Sequence, residues 1–311
     1  MARLSRFWIF LALFWAATPT FALVLYGLDD RATASDPGNG VPYAYVARLT
    51  DAAGVTTEAS AVYLGNRWVL STRHAGAPAY IQFEVGGPVY PRDLAELVLP
   101  LGDSDLILTR LRVDPGLPQL PLVPADARKG IGTLVGWGEG RGSSHLRRKK
   151  LVRWGQGGDT TAKRWGLNAF ESTLTFTDQH GRTTESFTII AGNSDAPEGL
   201  SPKSFCGDYE AAAVDKDSGS AFFMQAEDGL WYLAGLMLAA ERPVTGETVT
   251  RFGRDCGQDP QRGYSNVYAD LSAYRRQIQA VIDPAAYVMT QKDLPDEGKV
   301  VAVEKSAAQG A

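Results

Sequence analysis

Short apolar runs rich in β-branched and aromatic residues, separated by Gly, Pro, Asn and Asp, recur along most of this chain and constrain its fold more than any other feature. They are Tyr45 to Leu49, Ala61 to Leu64, Trp68 to Ser71, Leu106 to Leu111, Thr133 to Trp137, Leu174 to Thr177, Phe187 to Ala191, Ala221 to Gln225 and Trp231 to Leu238. Most are of strand length and too short for a helix. Regular short strands with turn signals between them predict an all-β sandwich or barrel. They do not alternate with long helical patterns, which argues against a parallel α/β sheet. One helix is expected late in the chain, where Leu271, Tyr274, Ile278 and Ile282 repeat at three- and four-residue spacing behind Asp270, a suitable N-cap. Gly138 to Gly158, rich in Gly, Arg and Lys, reads as exposed loop, and Gly192 to Pro202 as a dense turn cluster. There is no internal repeat.

The amino terminus reads as an export signal. Arg3 and Arg6 give a positive start, Phe7 to Ala17 is an apolar run of 11 residues, and Thr20-Phe21-Ala22 offers small residues at the positions a signal peptidase reads. A membrane-spanning helix needs about 20 apolar residues, so the run is short for an anchor. Cleavage after Ala22 is expected. That leaves 1–22 as signal peptide, 23–283 as the folded domain and 284–311 as a polar, disordered tail. The mature chain is expected to be secreted or periplasmic and free of the membrane. In an oxidising compartment the two cysteines, Cys206 and Cys256, are most simply one disulfide, with free thiols as the alternative. No metal or cofactor signature is present. The formal net charge of −4 gives no bulk attraction to nucleic acid. The basic run Arg147-Arg148-Lys149-Lys150 reads as a solvated loop.

Three short stretches carry chemistry. Asp217-Ser218-Gly219-Ser220 stands just before the apolar run from Ala221, so Ser218 is expected in a tight turn that exposes its hydroxyl and can direct backbone N–H groups at an oxyanion. His74 follows the strand Trp68 to Ser71, and Asp105 heads the apolar stretch to Leu111. Singly, each has a plainer reading: a turn serine, a structural histidine, a strand-capping carboxylate. Together they are more informative. A serine hydroxyl is a poor nucleophile at neutral pH and needs a histidine base within reach. The histidine needs its other nitrogen fixed by a buried carboxylate.

In this order and setting the chain resembles the trypsin/chymotrypsin family of serine proteases, in a secreted, bacterial-type form. Val69 to Ala75 read V-L-S-T-R-H-A against the family's V-L-T-A-A-H-C. Asp105 to Leu111 read D-L-I-L-T-R-L against D-I-A-L-L-x-L, and Lys216 to Ala221 read K-D-S-G-S-A against G-D-S-G-G-P. Gly136-Trp137-Gly138, Trp231 to Leu236, and Gly263 to Tyr268 with the helix after it are further matches. The resemblance implies two perpendicular six-stranded β-barrels with a C-terminal helix and a site in the cleft between them. It implies His74 as base, Asp105 as its orienter, Ser218 as nucleophile, and the backbone N–H groups of Lys216 and Ser218 as oxyanion hole. It also implies protein or peptide substrates, no cofactor, and a Cys206–Cys256 bridge joining the walls of the specificity pocket. Asp217 matches an aspartate that, in the family, pairs with a new N-terminal amine after zymogen cleavage, and Val24 to Gly27 resembles the family's mature start. The chain departs from the pattern at several positions. Lys216 stands for a glycine, Ala75 for a cysteine and Leu238 for a serine near the triad aspartate, and Ala212 and Asp208 both remain candidates for the pocket base. Lys216, Ser220 and Leu238 leave a catalytically silent binding module as the alternative to an endopeptidase.

Overall fold

The computed structural model describes residues 23–25, 30–55, 59–124, 130–147, 150–156, 162–191, 209–214, 216–240, 249–250 and 264–285. The predicted signal peptide, both cysteines with their expected disulfide, Asp208, the Gly192–Pro202 cluster and all but the first two residues of the expected tail lie outside them.

The short apolar runs become antiparallel strands of two curled sheets. The first takes β2 (Val46–Thr50), β3 (Ser60–Gly65), β4 (Trp68–Thr72), β5 (Tyr80–Gln82), β6 (Val89–Pro91), β7 (Leu99–Pro100) and β8 (Leu106–Arg110), in the order β6-β5-β2-β3-β4-β8-β7. The second takes β9 (Ile131–Gly136), β12 (Arg164–Ala169), β13 (Ser172–Thr177), β14 (Thr183–Ala191), β16 (Ala221–Gln225), β17 (Trp231–Ala240) and β19 (Tyr264–Asp270), in the order β12-β9-β16-β17-β19-β14-β13. Beside them, β10 (Arg141–Arg147), β11 (Lys150–Gln156) and β18 (Val249–Thr250) form a three-stranded sheet, and β1 (Val24–Leu25) pairs with β15 (Ala211–Ala212). An α-helix, α1 (Leu271–Ile282), follows β19 directly.

Each main sheet therefore has seven strands rather than the six that the resemblance implies. In the first sheet the two-residue edge strand β7 is too short to show a period in the sequence. The Gly138–Gly158 stretch, expected as loop, holds the β10–β11 hairpin, with Arg147 paired to Lys150 across the basic run. Backbone pairing needs no apolar face, so a Gly-, Arg- and Lys-rich hairpin gives no hydrophobic signal.

The strands read as almost continuously apolar because both faces of each sheet are covered. Side chains alternate between the faces. In the first sheet Ala47, Ala61, Tyr63, Val69 and Ile81 fill its own interior. The alternate residues Val46, Val62, Leu70, Leu106 and Leu108 join Val135, Ala221, Phe223, Leu236 and Val267 of the second sheet in a shared core. The other face of the second sheet closes over Leu134, Phe187, Phe222, Met237 and Tyr268. Helix α1 lays Leu271, Tyr274, Ile278 and Ile282 on the shared core. At its start the Asp270 carboxylate accepts the N–H of Ser272, as its N-cap position predicts. At its end the Asn66 side-chain amide donates to the carbonyl of Ile282, tying α1 to the β3–β4 turn. Among the described residues no helix is long and apolar enough to cross a membrane.

Candidate active site

Strand register brings the first two polar residues together. Thr72, the last residue of β4, pairs with Leu106, the first of β8. The residues just beyond that pair, His74 and Asp105, are therefore neighbours although 31 positions separate them in sequence. The backbone finishes the job: Arg73 N–H donates to the Asp105 carbonyl at 2.9 Å, and His74 N–H donates to Asp105 Oδ1 at 3.0 Å. His74 Nδ1 then lies 2.5 Å from Asp105 Oδ2. A proton on Nδ1 facing that carboxylate leaves Nε2 as an acceptor, and Ser218 Oγ stands 2.8 Å from it. Asp105 is buried, its side chain 1% exposed, whereas the His74 side chain is 28% exposed.

The turn that carries Ser218 is held on every side. Ser220 N–H donates to the Asp217 carbonyl, Gly219 N–H to the Met237 carbonyl of β17, and Ser60 N–H of β3 to the Ser218 carbonyl, at 2.7, 2.8 and 2.7 Å. The last of these bonds crosses between the two sheets. Gly219, at φ +82°, has to be glycine, because a Cβ there would lie 2.0 Å from the Ser60 carbonyl oxygen. Beneath the turn Asp217 is fully buried. Its carboxylate accepts N–H groups of Gly138 at 2.7 Å and Val214 at 2.9 Å, and a third from Leu23. Burial pushes its pKa up to about 7 against the pull of these hydrogen bonds and of Arg164.

The backbone N–H groups of Lys216 and Ser218 have no acceptor among the described residues. Lys216 takes the left-handed conformation, φ +68°, at the position where the resemblance expects glycine, and its ammonium pairs with Glu139 at 3.1 Å. A cleft of about 300 Å³ opens beside the His74 loop, walled by Leu49, Thr50, Ala75 and Pro78 among others. Ala212, one candidate for a pocket base, is fully buried in β15 opposite Val24. Leu238 lies in the shared core.

One charged residue of the site escaped the sequence reading. Arg182, in the turn between β13 and β14, sets its Nη2 2.9 Å from Asp105 Oδ1. The start of β14 brings Thr184, whose hydroxyl oxygen accepts the Asp105 N–H at 2.9 Å. Arg182 is 77 residues from its partner, and the only local signal is the Asp178-to-Gly181 turn that holds it.

No family model and no curated protein matches the chain. Among solved structures, neuropsin, a serine protease expressed in the limbic system of mouse brain, is similar at 16% identity; the match covers 81% of this chain and 98% of that one, with a TM-score of 0.49.

Proposed function

We propose that this chain is an exported serine endopeptidase, secreted or periplasmic, that hydrolyses peptide bonds through Ser218, His74 and Asp105. The observation that carries this reading is the unbroken contact chain from Asp105 Oδ2 to His74 Nδ1 and from His74 Nε2 to Ser218 Oγ. In that arrangement the Ser218 hydroxyl gives its proton to Nε2 as Oγ bonds to the substrate carbonyl carbon. Asp105 holds the ring in the acceptor tautomer and stabilises the imidazolium. The Lys216 and Ser218 N–H groups, which have no acceptor among the described residues, suit the oxyanion. His74 then returns the proton to the leaving amine as the C–N bond breaks. Water, deprotonated by the same nitrogen, hydrolyses the acyl-enzyme and restores the serine.

The test is labelling with a fluorophosphonate together with hydrolysis of a peptide library. The wild-type protein is expected to label at Ser218 and to cleave, while Ser218→Ala and His74→Ala, both folded by circular dichroism, do neither. The double variant is expected to be hardly slower than either single one, because the two residues act as a unit. Asp105→Asn is expected to lose about 10⁴-fold in turnover, because the amide favours the wrong histidine tautomer. A folded Ser218→Ala protein as active as wild type rules out this mechanism. A wild type that neither labels nor cleaves leaves the silent binding module in its place.

A further inference from the structure

The carboxylate that faces His74 is shared. Asp105 Oδ1 accepts the His74 backbone N–H and lies 2.9 Å from Arg182 Nη2, whose side chain is only 14% exposed. Arg182 is in turn held by Asp178, which touches both Nε and Nη2 at 2.5 Å and also accepts the backbone N–H groups of His180 and Arg182. Nη2 has close charge contact with both carboxylates without a well-aligned hydrogen bond to either. Burial pushes the Asp178 carboxyl up, but the Arg182 and His180 hydrogen bonds outweigh it and hold the pKa low, so this second charge is present at neutral pH.

Arg73 turns its guanidinium to the Ser104 carbonyl. Asp103 is exposed. His180, also exposed, lies against Gln179. From α1, Tyr274 accepts the N–H of Glu185, and burial raises its phenol pKa, keeping it neutral. Among the described residues, Arg182 is the cationic partner of Asp105, and His74 is its imidazole partner. Leu238, where the resemblance expects a serine hydroxyl near this aspartate, is buried and has no polar group to offer.

We propose that Arg182, resting on the serine-protease reading above, is a positioning residue that acts on His74 through Asp105: its charge offsets part of the carboxylate's, so that His74 gives up its proton and becomes the base at lower pH than an unopposed Asp105 would allow. The physics is a three-charge balance. An anion beside an imidazole favours imidazolium, and a cation behind that anion cancels part of the field. The acid limb of the pH–rate profile reports where His74 becomes the free base. Asp178 draws some of the Arg182 charge away and so limits the effect.

Two readouts test this. One is the pH dependence of kcat/KM. The other is the titration of the His74 ring proton resonance by NMR, assigned by its loss in His74→Gln; the latter needs no turnover and stands even if Ser218 is not the nucleophile. In Arg182→Gln both midpoints are expected to rise by about half a pH unit or more, equivalent to roughly a threefold loss of relative rate on the acid limb. Arg182→Lys keeps the charge and is expected to restore most of the shift. Asp178→Asn keeps an acceptor for the turn's N–H groups but frees Arg182 to act on Asp105 alone, so both midpoints are expected to fall. That variant decides the matter if Arg182→Gln does not fold. A lower plateau rate with unmoved midpoints overturns the proposal and makes Arg182 a tether for its turn. Unmoved NMR midpoints alongside intact fluorophosphonate labelling reject it and leave the protease reading in place.

Discussion

Lys216 shows how much a single residue can be asked to do beside the candidate nucleophile. A side chain at φ +68° carries strain that glycine does not, on the order of 1 kcal/mol. The exposed pair with Glu139 returns at most about as much. Lys216→Gly and Lys216→Ala both delete the ion pair, and only the glycine relieves the backbone. Urea unfolding is expected to rank Lys216→Gly above Lys216→Ala by roughly 0.5–1 kcal/mol. An alanine variant as stable as the glycine one would mean that the left-handed conformation carries no strain here. His74, Asp105 and Ser218 were legible at this scale because their neighbours in sequence are also their setting in space: strand ends and a turn. Arg182 was not, since its contact with Asp105 arises only where the two sheets meet.

At the scale of elements, a signal in the sequence tracks apolar burial. Trp68–Thr72, Ala221–Gln225 and Leu271–Ile282 each bury a stripe or both faces, and each was expected within a residue or so of its observed bounds. The polar β10–β11 hairpin and the two-residue β7 rest on backbone pairing and left no pattern. Helix α1 is the element whose start and face were both read correctly, and its cap can be weighed. Asp270 Oδ1 accepts from Ser272 N–H at 3.1 Å and from the Ser272 hydroxyl at 2.6 Å. Asp270→Ala is expected to lower stability by about 1–2 kcal/mol, while Asp270→Asn, which keeps an acceptor, stays much closer to wild type. Thermal and urea unfolding of the pair check this. Equal losses in both would mean that the charge of Asp270, rather than its capping oxygen, is what the fold uses.

Across the whole molecule, the amino-terminal residue expected after export processing meets the floor of the candidate site. Leu23, fully buried, donates its N–H to Asp217, whose carbonyl and carboxylate brace the Ser218 turn. While Leu23 is joined to Ala22 that group is a neutral amide, and burial holds the Asp217 pKa at about 7. Below the unfolded value, about 3.9, both states carry the proton and the carboxyl has no net effect. Between there and about 7 the unfolded chain ionises while the folded one keeps its proton, so stability falls as pH rises. Above that range both states are ionised and the penalty, on the order of a few kcal/mol, is constant. Cleavage after Ala22 would replace the amide with an ammonium beside the carboxylate, and a nearby cation favours the charged form. A chain beginning at Leu23 is therefore expected to keep its stability between pH 5 and pH 7, whereas one carrying two extra residues before Leu23 loses stability over the same interval. Asp217→Asn, uncharged at every pH, is expected to flatten the profile of the extended chain. Urea unfolding at matched pH values measures all three. Identical slopes for the chains with and without the extension would mean that the new amine does not reach Asp217, and that the brace beneath Ser218 works through its backbone hydrogen bonds alone.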